Sequence, residues 1–257
     1  MYKFSIAAIA SPLEANYIDE WVSYHKKLGV EHFYIATNDW VLDTKDPAIT
    51  TMRLDGRGVQ TPYYTWCVRN LVPCTQWCAF IDIDEFIKCE SMEQLVKGHE
   101  SDDAICLSWR LFGSSNLHFD GTDYSVLKRF THRQSGFNKH VKVVVNLQNS
   151  KSKYPVFANP HWAFGIVTKT IDGRTVNGPY DLAADTRLND ASPWIAHFFC
   201  KTPEEWRKKQ ERGRVDVPAG SPEIYRKDNE FQEHDLNEVE DTSLIDKYNG
   251  GNNEQHD

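Results

Sequence analysis

The 257-residue chain has no apolar run approaching the roughly 18–20 residues that a membrane-spanning helix needs. It has no basic excess either. Its 29 Lys and Arg stand against 37 Asp and Glu, a formal net charge of −8, whereas a binder of duplex nucleic acid needs cations massed on one face. The six cysteines (Cys67, Cys74, Cys78, Cys89, Cys106 and Cys200) are too sparse for a disulfide scaffold, and no C-x-x-C pair suggests a zinc knuckle. They read as small buried hydrophobes in a reducing compartment. The opening stretch to Ala10 is too short for a secretory signal, so a cytoplasmic chain with at most peripheral membrane association is expected. No internal repeat is present. What remains is an ordinary globular composition, 40% hydrophobic and 12% aromatic, enough to bury a sizeable core.

Periodicity in the first half alternates between strand and helix. Phe4 to Ala10 is an apolar run of strand length stopped by Ser11-Pro12. Tyr17, Ile18, Trp21, Val22, His25 and Leu28 then fall on one helical stripe that ends at Gly29, and His32 to Ala36 is a second strand. This is a βαβ unit, whose strands should be parallel and buried. A helix over Tyr63–Leu71, a strand over Trp77–Ile87, a short helix over Ser91–Lys97 and a strand over Ala104–Phe112 continue the pattern, which predicts an α/β fold. From Gly113 to Trp194 short β-like pieces (Lys142–Leu147, Ala163–Lys169) and turns predict a β- and loop-rich half. Trp194 to Lys201 reads as a strand, followed by a helix whose start carries a capping box, Thr202-Pro203-Glu204-Glu205. Residues 249–257 have nothing to bury and are expected to be disordered.

The chemistry concentrates at Asp82-Ile83-Asp84-Glu85, where three carboxylates interrupt a core strand. In an extended strand Asp82 and Asp84 share a face, and a buried unpaired carboxylate is too costly to stand alone. At the carboxyl end of a parallel strand they would face the crevice where open α/β sheets bind ligands. Hard carboxylate oxygens suit Mn²⁺ or Mg²⁺, an ion that keeps open positions for phosphate oxygens. The blander alternative is an exposed loop with both acids paired to surface Lys or Arg. His197, in the strand Trp194–Lys201, is either a further ligand or a packed core imidazole. Lys201, just before a helix start, would form an anion site. Lys208, Lys209, Arg212 and Arg214 read as a solvated face, with Glu204/Lys208 and Glu205/Lys209 as i,i+4 pairs.

Taken together, W-x-x-F-I-D-I-D-E-F (Trp77–Phe86), W-x-x-F-G (Trp109–Gly113) and His197-Phe198-Phe199-Cys200-Lys201 leading to Glu204-Glu205 and Arg212-Gly213 resemble the family 2-like and family 92 glycosyltransferases. The resemblance runs from about residue 3 to 250. It implies a GT-A-type, Rossmann-like mixed sheet flanked by helices: one domain over 1–248, with a nucleotide-sugar half (1–112) and an acceptor half (113–248). It also implies transfer of a hexose, galactose or glucose, from a nucleoside-diphosphate sugar such as a UDP-sugar to a hydroxyl of a glycan or lipid-linked acceptor, with inversion. Asp82, Asp84 and His197 would then hold the metal, and Glu14 and Asn38 would line the nucleotide pocket. The chain departs from the family pattern at Pro12-Leu13-Glu14, where K-N-E is usual, and at Thr37-Asn38-Asp39-Trp40, where D-N-x-S is usual.

Asp84 and a base would carry the chemistry, and Lys201 would assist the departing diphosphate. Asp181, Asp185 and Asp190 are the candidate bases, with Asp185 preferred. His161, His140, Arg129, Lys139 and Lys142 in the acceptor half, and Arg110 at its border, would bind phosphate or sugar hydroxyls or serve structure alone. Two other readings stay open: a metal-dependent phosphoesterase or nucleotidyltransferase, and a non-catalytic carbohydrate-binding module.

Overall fold

The computed structural model of the chain describes residues 1–119, 121–181 and 188–250. It is a mixed α/β structure with a large central sheet flanked by helices. Strands β1 (Tyr2–Ala10), β2 (His32–Asn38), β3 (Ile49–Leu54), β4 (Thr75–Phe80), β5 (Glu85–Lys88), β6 (Ala104–Leu111), β7 (His132–Arg133), β8 (Val141–Asn146), β9 (Val156–Asn159), β10 (Trp162–Phe164), β11 (Thr168–Lys169), β12 (Thr175–Val176), β13 (Trp194–His197) and β14 (Val239–Glu240) follow in chain order. The main sheet runs β12-β11-β6-β8-β4-β1-β2-β3, and β13 bridges β6 to β5. Pairing among β4, β1, β2 and β3 is parallel, as the βαβ pattern requires, while β8 lies antiparallel between β4 and β6. A strand from the second half of the chain therefore sits in the middle of the sheet.

Strand alternation splits the apolar side chains into two layers. Ile6, Ala8, Phe33, Ile35, Trp77 and Ala79 enter one core, and Ala7, Tyr34, Ala36, Cys78 and Phe80 enter the other. Helix α1 (Ile18–Lys27) covers the first layer with Trp21, Val22 and Tyr24, and α2 (Gln60–Asn70) covers the second with Tyr63, Tyr64, Cys67 and Val68. The chain then adds α3 (Met92–Val96), α4 (Val126–Arg129), α5 (Leu147–Ser150), α6 (Pro203–Arg212), α7 (Glu230–His234) and α8 (Ser243–Gly250). Helix α6 begins with the expected capping box: the Thr202 side chain accepts from Glu205 N, and Glu205 accepts from Thr202 N.

Four boundaries differ from expectation. The strand over Trp77–Ile87 is broken into β4 and β5, because residues 81–84 leave the sheet in a turn closed by Glu85 N donating to Asp82 O (3.1 Å). Acidic side chains are satisfied there by donors that a flat ladder would not present. Ala163–Lys169 is split between β10 and β11, and the strand from Trp194 ends at His197. Strand β3 is an exposed edge, missed because Ile49, Met52 and Leu54 are spread among Thr and Arg without an apolar run. No helix among the described residues is long and apolar enough to cross a membrane.

Candidate active site

The carboxyl ends of the parallel strands β1, β2 and β4 lie side by side and open into a cleft of about 290 Å³. Glu14 lines it just beyond β1, Asn38 ends β2, and Asp82 and Asp84 follow β4. His161 and His197 join them from the second half. Six of the residues singled out from the sequence are therefore brought to one place. Asp185 lies outside the described residues.

Asp82 and Asp84 do not share a strand face. The turn sends them to different partners, which corrects the expectation of two parallel carboxylates. Asp82 accepts from Gln60 Nε2 (2.6 Å) and Tyr64 OH (3.1 Å) through one oxygen and from Lys142 Nζ (2.7 Å) through the other. Lys142 is fully buried and also stands 3.4 Å from Glu85, itself buried. Burial, then the nearby Asp82 and Asp84 carboxylates, push the Glu85 carboxyl well above the usual range despite Lys142. One lysine is shared by the buried Glu85 and the part-exposed Asp82, and burial favours the protonated form of Glu85.

Asp84 meets α6 instead. Its Oδ2 accepts from Lys209 Nζ at 3.0 Å, and its Oδ1 is 3.5 Å from His197 Nε2. Burial opposes ionisation of Asp84, but the Lys209 ammonium and the His197 imidazole outweigh it and hold the carboxyl well below its ordinary value. Burial lowers His197, with Asp84 opposing. The imidazole is thus neutral, and the charge facing Asp84 is that of Lys209.

Helix α6 and the chain after it form a basic wall of the cleft: Lys209, Arg212, Arg214 and Arg226. Reading Lys209, Arg212 and Arg214 as a solvated face misses their place in the cleft, and no sequence signal singled out Arg226. Neither i,i+4 pair expected there forms. Glu205 turns to Arg129 (3.0 Å to each terminal nitrogen) and Tyr17, and Glu204 turns to His118. A usable signal existed for Lys209: it stands three residues beyond Trp206, the buried residue of this helix, and so lies toward its packed side. Arg212 bonds Ser11 and Glu14 (3.2 Å), Arg214 bonds Asp216 (2.8 Å), and Arg226 bonds Glu230 (2.9 Å). Even so, Arg212 Nε, Arg226 Nε, His197 Nδ1 and Trp109 Nε1, all on cleft-lining residues, are buried without a partner among the described residues.

Lys201 is a correction. With φ near +55° it turns away after β13, lies buried over the Tyr17 ring, and donates to Phe198 O (3.3 Å). It lines a separate hollow beside Phe119 and Tyr124, not the cleft. Of the other candidate bases, Asp181 is exposed and accepts from Asn177 N, and Asp190 is bound to Arg110 and Arg133. Neither lines the cleft. Arg129 is structural through Glu205. Trp109 gathers three imidazoles, with His197, His161 and His140 centred 4.2, 4.9 and 4.8 Å from its ring. Burial pushes His140 down to about 4 and His161 down to about 2, helped by the surrounding cations.

A divalent ion finds a partial donor set here. Asp84 and His197 supply a carboxylate oxygen and a neutral imidazole nitrogen, too far apart for a good hydrogen bond and close enough to share one ion. The unpartnered His197 Nδ1 leaves the ring unclaimed by any other bond. Asp82 adjoins them, but Lys142, Gln60 and Tyr64 occupy its oxygens, and among the described residues no group of three such side chains converges.

The chain is similar to a glycosyltransferase. A stretch of 83 residues is 29% identical to a glycosyltransferase family 92 protein of Oryza sativa subsp. japonica, covering 29% of this chain and 14% of that protein. The match thus spans about a seventh of the relative. No family model matches. Among solved structures, an active-site mutant of the galactosyltransferase LgtC aligns at 9% identity over 76% of this chain and 87% of its own, with a TM-score of 0.41. HddC from Yersinia pseudotuberculosis aligns at 10% identity over 81% and 97%, with a TM-score of 0.36. Likenesses this distant do not bear on activity.

Proposed function

We propose that the chain transfers a hexose from a nucleoside-diphosphate sugar, a UDP-sugar in the first instance, to a hydroxyl of a glycan or lipid-linked acceptor. The observation that carries this reading is the pairing, across one cleft at the carboxyl ends of β1, β2 and β4, of Asp82 and Asp84 with a basic wall that retains unpartnered donors. A diphosphate offers the oxygens those donors lack, and the leaving group of glycosyl transfer gathers negative charge that fixed cations stabilise. The similarity to a family 92 glycosyltransferase supports it.

In this reading Glu14 and Asn38 border the nucleotide, Lys209, Arg212 and Arg226 face the diphosphate, and Trp109 with His140 and His161 walls the sugar and acceptor end. Asp84 and His197, with Asp82 beside them, would hold Mn²⁺ or Mg²⁺, which supplies Lewis-acid stabilisation of the diphosphate when bound. Inverting transfer needs a base on the far face of the sugar, and Asp185 is proposed for it. A cytoplasmic setting, with at most peripheral membrane contact, belongs to the same proposal. The six free cysteines suit a reducing compartment.

A thermal-shift panel of nucleotide sugars with Mn²⁺ tests the function. A ligand at about 100 times its Kd stabilises by about 2.7 kcal/mol, or about 5–10 °C in a chain of this size. The reading predicts such a shift for at least one nucleotide sugar, and nucleoside-diphosphate release when acceptor is added. No shift with any donor, together with phosphate release from simple phosphoesters, would establish the hydrolase instead.

A further inference from the structure

Asp84 already has a cation. Lys209 is buried, its ammonium spends one N–H on Asp84 Oδ2 at 3.0 Å and another on Phe199 O at 2.9 Å, and it lies 4.2 Å from the centroid of the Phe199 ring. A divalent ion at Asp84 and His197 would bring two further charges beside a buried ammonium, a repulsion screened less among buried groups than in bulk water. One carboxylate would then carry two cations, the ion on Oδ1 with His197 and the Lys209 ammonium on Oδ2. The arginines around it, Arg212, Arg214 and Arg226, are each bound to a carboxylate, Glu14, Asp216 and Glu230, so the cleft offers a displaced ammonium no vacant anion. A diphosphate would supply one.

We propose that Lys209 and a divalent cation exclude each other at Asp84, and that the nucleoside diphosphate couples their exchange by taking the ammonium as the ion enters. The second half of this rests on the donor reading above, and the first half does not. Metal and nucleotide then bind as a unit, each weak without the other, and the coupling is reciprocal.

Titration of MnCl₂ into the whole chain, followed by calorimetry and by the electron paramagnetic resonance of free Mn²⁺, tests it with UDP, GDP and dTDP each absent and present. Wild type should bind Mn²⁺ weakly alone and at least tenfold more tightly with one of the nucleotides. Lys209→Met, which keeps the stem and removes the charge, should bind Mn²⁺ alone at least tenfold more tightly than wild type, and the nucleotide should add less than threefold. Lys209→Arg should behave as wild type. If Lys209→Met does not fold by itself, Mn²⁺ should restore its circular dichroism, since the ion replaces the missing counter-charge. A Lys209→Met chain that binds Mn²⁺ no better than wild type, or that stays unfolded with Mn²⁺, overturns the exclusion. Tighter Mn²⁺ in Lys209→Met with no nucleotide effect in either protein overturns the coupling and the donor reading together, and leaves the exclusion standing.

Discussion

The cluster of Asp82, Lys142 and Glu85 makes a prediction in which two neighbouring substitutions differ sharply. Lys142→Met removes the buried ammonium that lies 2.7 Å from Asp82 and 3.4 Å from Glu85 and leaves the part-buried Asp82 carboxylate without its cation. Breaking a buried pair in this way costs about 3–5 kcal/mol. At about 2–4 °C per kcal/mol in a chain of this length, the melting temperature should fall by about 6–20 °C. Glu85→Gln removes the same formal charge as an ionised glutamate would lose, yet burial and the flanking aspartates keep Glu85 protonated, so the substitution exchanges one neutral group for another. It should cost under about 1 kcal/mol, within the range of a conserved hydrogen-bond count. Urea unfolding at pH 7, with equal m-values, measures both. A Glu85→Gln variant as damaged as Lys142→Met would show that Glu85 is ionised, and the account of one lysine shared by one charged and one neutral carboxyl would fail.

His25 sets an acid limit. Its Nδ1 donates to Trp21 O (2.8 Å) and its Nε2 accepts from Ile87 N–H (3.2 Å), so burial of a ring with no room for a second proton lowers it to about 3. Its folded pKa lies below the unfolded value, so the unfolded state binds more protons and stability falls as pH drops from about 7 toward 3. By linkage the loss at pH 5 is about 2 kcal/mol from this residue. Urea midpoints at pH 7 and pH 5 check it, and a His25 ring that titrates near 6.5 by NMR would refute it. Asp84→Asn should abolish Mn²⁺ binding and sugar transfer in a chain that folds but melts lower, since the buried Lys209 loses its carboxylate. Unchanged transfer would remove Asp84 from the site. Thr202→Ala, which deletes the α6 cap, should cost about 1 kcal/mol in urea unfolding, and no loss would mean the cap is idle.

Much of the scaffold was legible because it depends on local apolar pattern. The β1, α1, β2 unit follows from the run Phe4–Ala10, the stripe through Trp21 and Val22, and Gly29, whose φ of +96° ends the helix turn. The carboxylates after β4 were legible as chemistry, since acids inside Phe80-Ile81 and Phe86-Ile87 require partners. The partners were not legible. Lys142 and Lys209 reach Asp82 and Asp84 across 60 and 125 residues, and no spacing rule encodes such distances. The charge pattern of α6 was misread because i,i+4 pairing is a weak preference of about 0.2–0.5 kcal/mol, easily outbid by the buried Arg129 and Asp84. Lys201 was misplaced because its left-handed backbone reverses the direction that a strand would have given it.

The account stands most directly on a crystal structure of the chain grown with Mn²⁺ and saturating UDP-sugar. It predicts the diphosphate in the cleft, between Asp84 and the Arg212 and Arg226 side chains, with the Lys209 ammonium moved from Asp84 onto a phosphate oxygen. Nucleotide bound elsewhere on the molecule, or an empty cleft at saturation, would contradict it.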